Sequence, residues 1–351
     1  MKRLFTILLG ALLLYSCNGG DIDLGGSREI AFNAKHIQRA LTQADIDGGE
    51  KAKVFICGMQ NNTTALYSNA EITRDAATGK WFPATKKDWV NGSSYTFHGY
   101  AYNLVNGQQP TGLEFLTNSS GKDQYGLEVN ITQPSSYNES QMIDYLVSYT
   151  HRIANGSSKP IVQIHLEHVM TLAEFYVVRG NLFEARLKEM TFSNIFYKGN
   201  LKCTSQAVLN SGEKNAWQMT PNGNNDVVYT YKPSSPVEIG DNRDNTAAKM
   251  AVMCLPQQLT AATKFTIVYE VNEKITEGSD DNWVEHTETF SLYNYNPIDY
   301  QSGHRVVYTA TIDSGVNLQG VIAKWNDVDY IEGTILPEIP TGDENSSNEQ
   351  N

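Results

Sequence analysis

Val162-Gln-Ile-His-Leu-Glu167 alternates apolar and polar residues without a break. On a strand this period places Val162, Ile164 and Leu166 on one face and Gln163, His165 and Glu167 on the other. The same alternation recurs at Tyr125, Leu127, Val129 and Ile131, at Phe265, Ile267, Tyr269 and Val271, and at Val306, Tyr308, Ala310 and Ile312, with a shorter version at Phe290 and Leu292. Each run can bury one face and wet the other. Asn91-Gly92, Asn106-Gly107, Asn155-Gly156 and Asn222-Gly223 punctuate these runs as turns, since Asn and Gly accept positive φ at little steric cost. Helical periodicity is weak, and its best candidate is the short stretch Asn181–Glu189. Many short alternating strands with frequent turns predict an all-β chain of two consecutive antiparallel β-sandwich domains with Greek-key connections.

The 351 residues suffice for two such domains. The polar stretch His151–Lys159, with Asn155-Gly156-Ser157-Ser158 at its centre, separates two alternating blocks. It predicts an N-terminal domain over 28–158 and a C-terminal one over 159–340. The tail 341–351 has three acids, no base and no apolar residue, so it is expected to be disordered.

The first residues carry a different signal. A basic start, Met1 to Arg3, precedes the apolar run Leu4 to Leu14 and then Leu14-Tyr15-Ser16-Cys17. That is the form of a secretory signal peptide over 1–16, not of a membrane span. A cysteine at the break reads as a bacterial lipoprotein signal, with the Cys17 thiol acylated, palmitate being one such chain, and lipid anchoring the mature chain at the outer membrane. Tyr15 is bulkier than that pattern usually has, and the alternative is a plain secretory signal with Cys17 there by chance. Residues 17–27 contain Gly19, Gly20, Gly25 and Gly26 with Asp21 and Asp23, as suits a flexible tether.

A formal net charge of −12 and a pI near 5.1 argue against nucleic acid as a partner and against a polybasic membrane patch. Cys57, Cys203 and Cys254 lie inside apolar runs and are expected as buried thiols. A Cys203–Cys254 bridge is the other reading, since export permits oxidation.

Searching for chemistry yields little. His165-Leu-Glu-His168 has metal-like spacing for a helix, but on a strand the two imidazoles diverge. A Gly-x-Ser-x-Gly elbow is absent, and Gly48-Gly49 and Gly223 belong to polar turns with no helix following. Asp280-Asp281 and the group from Asp241 to Asp244 read as solvated loop carboxylates. No catalytic residue, metal or cofactor is therefore expected. Trp283, Tyr293, Tyr295 and Tyr300 lie in a polar stretch where rings either stack on sugars or staple a loop to the core. This leaves a second function class, a surface lipoprotein that binds glycans without polymerising.

Several blocks occur in a telling order. They are Glu29-Ile-Ala-Phe32, Tyr95-Thr-Phe-His-Gly-Tyr-Ala-Tyr102, Asp144-Tyr-Leu-Val-Ser148, Ile164-His-Leu-Glu-His168 and Ala173-Glu-Phe-Tyr-Val177. Later come Met253-Cys-Leu-Pro-Gln257, Phe265-Thr-Ile-Val-Tyr269, Gly303-His-Arg-Val-Val-Tyr-Thr-Ala-Thr-Ile312 and Ile322-Ala-Lys-Trp325. With them, from about Ile30 to Trp325, the chain resembles the fimbrillin-like lipoproteins of Bacteroidetes, the type V pilins.

The resemblance implies two transthyretin-like sandwiches and a non-enzymatic fimbrial subunit at the cell surface. Its partners would be other fimbrial subunits, an arginine-specific protease, the lipid anchor and a host or bacterial surface ligand. It further implies cleavage near the N-terminus, here at Arg39-Ala40. That cut would release the early strand Glu29-Ile30-Ala31-Phe32-Asn33-Ala34 and open a groove for a strand of the next subunit. Arg28 precedes the strand and would only trim the tether; Arg74 would cut too deep. For the donor, Tyr330-Ile-Glu-Gly-Thr-Ile-Leu336 offers Ile331 and Ile335 on one face. It reads equally as the last strand of its own domain, with Gly333 weakening it and Pro337 ending it.

Overall fold

The computed structural model describes residues 28–36, 43–116, 128–148, 151–180, 184–203, 217–244, 246–273, 281–295, 299–313 and 316–324. Within them the chain is strands and turns, with a short α-helix, α1 (Gln43–Gly48), near the start. The all-β expectation holds.

The first ten strands are β1 (Phe32–His36), β2 (Ala52–Gln60), β3 (Thr64–Arg74), β4 (Trp81–Pro83), β5 (Tyr95–Asn103), β6 (Leu113–Phe115), β7 (Glu128–Thr132), β8 (Tyr145–Ser148), β9 (His151–Ile153) and β10 (Val162–His168). Pairing runs β2-β3-β4-β1-β10-β8-β5, and β5 returns to β2, so seven strands close a ring; β9 pairs with β5. The first half is thus a barrel-like ring rather than an open two-sheet sandwich. Closure gives each of the seven strands a neighbour on both sides, although β1 meets β4 at a single position.

β5 shows why the ring stands where it does. Tyr95, Phe97 and Ala101 point into the ring with Val54, Ile56, Leu146, Ile164 and Leu166. Tyr100 and Tyr102 point the other way, into a second core with Tyr145, Val147 and residues of the second half. On that outer face Phe55 stacks on Tyr100 at 5.2 Å and on Tyr102 at 5.4 Å. One wall of the ring is therefore buried on both sides, and Tyr95-Thr-Phe-His-Gly-Tyr-Ala-Tyr102 serves two cores at once.

The second half contains β11 (Thr171–Arg179), β12 (Ala185–Ile195), β13 (Lys198–Cys203), β14 (Trp217–Asn222), β15 (Val227–Tyr231), β16 (Val237–Glu238), β17 (Lys249–Cys254), β18 (Gln257–Gln258), β19 (Lys264–Asn272), β20 (Trp283–Ser291), β21 (Asp299–Tyr300), β22 (His304–Ile312) and β23 (Val316–Lys324). Sheet β17-β11-β22-β23 faces sheet β15-β12-β19-β20. Phe175 of β11 meets Phe265 of β19 at 4.5 Å and Phe192 of β12 at 4.9 Å between them. A third sheet, β14-β13-β7-β6, takes strands from both halves.

Three readings need correction. The seam does not fall at 158/159: β10 pairs with β1 and β8 inside the ring, and the polar stretch before it carries β9 and a 3₁₀ turn. Turn chemistry looks the same in a loop between ring strands as in a linker between domains. The pairing is not wholly antiparallel, because β1–β10 and β11–β22 are parallel. Each joins strands far apart in sequence, as parallel pairing requires a long crossover. The weak helical candidate Asn181–Glu189 is, over its described part from Ala185, strand β12. Its buried residues fall at Ala185, Leu187, Met190, Phe192 and Ile195, and register shifts after Leu187 and Ser193 stretch the spacing from two to three. Two bulges thereby imitate a helical period. Asn155-Gly156 opens a 3₁₀ turn, and Asn106 (φ 52°) and Gly107 (φ 73°) form a turn with positive φ, as their sequence predicts.

Candidate functional site: the first strand inside the ring

Residues 28–36 enter the ring at its one parallel joint. Ile30 N–H donates to Lys87 C=O and Trp89 N–H donates to Arg28 C=O, both at 2.8 Å, flanking a bridge between Glu29 and Asp88. Beyond it, β1 pairs in parallel with β10 from Phe32↔Val162 to His36↔Leu166, and on its other side meets β4 only at Phe32↔Trp81. The strand so bridges two neighbours that do not pair with each other, and it completes the closure.

Its side chains obey the strand period. Ile30 and Phe32 are fully buried and Ala34 is 2 % exposed, all three inside the ring. Phe32 stands edge-on to Phe97 (5.5 Å, 84°) and to Tyr67 (5.9 Å, 71°). Asn33 points outward, where its side-chain amide donates to Gln163 Oε1 at 3.1 Å. Lys86 Nζ lies 2.9 Å from Glu29 Oε2 at the exposed end. Burying the Ile30 and Phe32 side chains contributes about 1.5–3 kcal/mol each.

Other parts of the candidate site lie outside the described residues: the signal peptide, Cys17 and the tether, Arg39 and Ala40, Ile331 and Ile335, and the acidic tail. The chain between β1 and α1, which holds Arg39, belongs to that group. Sequence reading overlooked the socket around Phe32, because Tyr67, Trp81, Trp89 and Phe97 come from four separate segments. Only the inward alternation of Tyr95 and Phe97 hinted at it.

The remaining candidates resolve as follows. On β10, His165 is exposed and His168 buried, with His168 Nδ1 at 2.8 Å from Asp144 Oδ1. Cys254 is a buried free thiol whose pKa is pushed up by burial, and the Cys203 side chain lies outside the described residues. Tyr300 is core, its hydroxyl donating to Tyr308 Oη at 3.2 Å, so it offers no sugar platform. Tyr295 packs on Phe290 at 6.2 Å and Arg186 covers the Trp283 ring at 3.3 Å, whereas Tyr293 is 45 % exposed.

Sequence comparison matches residues 39–325 to the fimbrillin-like family. The chain belongs to the fimbrillin-like family. No curated protein matches it in sequence. Among solved structures, this fimbrillin-like chain is similar to a candidate cell adhesion protein of Bacteroides uniformis, with 15 % identity and a TM-score of 0.50 over 85 % of this chain and 100 % of that one. It is also similar to a candidate cell adhesion protein of Bacteroides ovatus, at 15 % identity and a TM-score of 0.45, covering 86 % of this chain and 98 % of that one. The likeness is one of fold. The family match begins at Arg39 and leaves β1 outside it.

Proposed function

We propose that this chain is a non-enzymatic subunit of a cell-surface fimbria, structural or adhesive in role, exported as a lipoprotein acylated at Cys17 and held at the outer membrane. An arginine-specific protease cuts at Arg39-Ala40, the strand Glu29–Ala34 departs, and a strand of a neighbouring subunit replaces it. One observation carries this reading: the segment running into β1 fills the ring with Ile30, Phe32 and Ala34, while β1 itself pairs with β4 at a single position. Its departure bares a slot with an apolar floor and unpaired backbone on β10, and such a slot takes up an added strand by main-chain pairing. Membership of the fimbrillin-like family and the adhesion-related names of similar structures support it. Incubating purified precursor with an arginine-specific protease and sequencing the new N-terminus tests the cut. Filaments seen by electron microscopy only after cleavage at Arg39 are the expected result; cleavage confined to other arginines removes the proposed slot.

The second reading, a glycan-binding surface lipoprotein that does not polymerise, has a 580 Å³ cleft lined by Arg179, Arg186, Glu184, Glu238, Asp281 and Trp283 in its favour. Selective hits on a glycan array without any polymer would establish it instead.

A further inference from the structure

The socket that β1 occupies is shaped for particular side chains, and its shape bears on which subunit can fill it. Resting on the strand-exchange reading above, we propose that the slot accepts a donor strand bearing a large aliphatic, an aromatic and a small residue at alternate positions, a series that the segment Trp325–Asn351 of a second copy does not carry.

The aromatic position is the most restrictive. Phe32 sits edge-on between Phe97 and Tyr67, and both rings are backed by Gly58, where an added Cβ would stand 2.8 Å from Phe97 and 3.3 Å from Tyr67. Phe97 and Tyr67 thus lie directly on the Gly58 backbone on one side and on the Phe32 ring on the other. A donor without a ring at this position leaves a cavity open.

The small position is fixed from the opposite side. Ala34 pairs with Ile164 in the parallel ladder, so both side chains share one face. Ile164 Cγ2 stands where a Cβ on Gly99 would be, 2.6 Å away. Ile164 is held between Ala34 and Gly99, and a larger residue in place of Ala34 would overpack it. At the first position Ile30 is fully buried, which favours a large aliphatic. The outward position, Asn33, pairs with Gln163 and suits a polar residue.

The chain's own C-terminal sequence does not supply this series. Ile331-x-Gly333-x-Ile335 places glycine at the aromatic position and a bulky residue at the small one. Val328-x-Tyr330-x-Glu332 has the ring, but it sets a carboxylate against Ile164, and burying an unpaired charge is heavily disfavoured. No window of alternate residues from Trp325 to Asn351 reads large aliphatic, aromatic, small.

The test uses the whole mature chain, folded and then nicked at a protease site introduced between His36 and Gln43, with the first fragment carrying a fluorophore. Release of that fragment is followed while three peptides compete: Glu29–His36, the same peptide with Phe32→Ala, and Val328–Leu336. The expected result is exchange with the first, about 100-fold weaker competition by the second, and none by the third. Competition by Val328–Leu336 within about tenfold of the first peptide would overturn the exclusion of that segment as a donor. Equal competition by the Phe32→Ala peptide would overturn the aromatic socket. If the fragment is released by no peptide, including its own sequence, the slot does not exchange and the strand-exchange reading fails along with this one.

Discussion

The ring and the sandwich each contain a parallel joint, and the two joints are built to different strengths. In the sandwich, β22 pairs with β11 at eight positions and with β23 at nine, so it is held along both edges. In the ring, β1 pairs with β10 at five positions and with β4 at one. Both strands bury aromatic rings: Tyr308 of β22 stacks on Phe175 at 5.0 Å, and Phe32 stands between Phe97 and Tyr67. What differs is the ladder. A strand that is first among the described residues, briefly paired and followed by the proposed cleavage point can leave without threading anything, whereas β22 is enclosed by described chain on both sides. Side-chain burial holds β1 in place, and its short backbone ladder suits the proposed exchange.

The most forceful way to break this comparison is to empty each core. Phe175→Ala and Phe32→Ala should each destabilise the uncut chain by about 3–5 kcal/mol in chemical denaturation. The expected distinction is where the loss appears. Phe32→Ala should shift the transition reported by Trp81 and Trp89 in the ring, while Phe175→Ala should shift that of the sandwich. A single common transition for both variants would mean that the shared sheet β14-β13-β7-β6 couples the halves into one unit. Next in size is Glu174→Gln. Glu174 is buried beside β22, where its carboxylate accepts from Lys249 at 2.6 Å and pairs with Arg305. Neutralising it leaves two cations short of a partner, at a cost of about 2–4 kcal/mol, discounted because Lys249 and Arg305 are partly wet. The loss should appear in the sandwich transition alone.

Alkaline titration sharpens the contrast further. Burial pushes the hydroxyls of Tyr300 and Tyr308 well above the ordinary tyrosine value. Their folded values exceed the unfolded ones, so their contribution is fully present below about pH 10 and is lost as pH rises above it. Each such tyrosine should withdraw about 1.4 kcal/mol of stability per pH unit in that window. The paired variants Tyr300→Phe and Tyr308→Phe should flatten the alkaline fall in melting temperature of the sandwich, and an unchanged slope would show that other groups control it.

Much of this was legible in the chain and some was not. Alternation located the strands at Val162–Leu166, Phe265–Val271 and Val306–Ile312, because a half-buried strand writes its own period. Ring closure was hidden, since the β1–β10 pairing joins Phe32 to Val162 and neither carries a mark of the other. Tyr95–Tyr102 was recognisable as a family block, yet its double duty was not, because a strand buried on both faces loses the polar half of the pattern. Bulges in β12 turned a strand period into something helix-like. Glu29–Ala34 stood out only through the resemblance to fimbrillin-like blocks; the socket around Phe32 depends on segments that meet only in the fold.

The smallest effect bears most directly on what holds β1. Lys86 and Glu29 form an ion pair at 2.9 Å, but their side chains are 46 % and 39 % exposed, and Lys86 also lies over the Phe82 ring at 4.3 Å. Lys86→Met keeps the aliphatic stem and removes the charge. Exposed pairs of this kind contribute about 0.2–1 kcal/mol and weaken as salt screens them. In the nicked chain, release of the first fragment should therefore accelerate no more than about fivefold, and the difference should vanish at high salt. A much larger, salt-sensitive acceleration would mean that charge at the entrance retains β1 in place of the apolar socket, and the ring would then owe its closure to its rim.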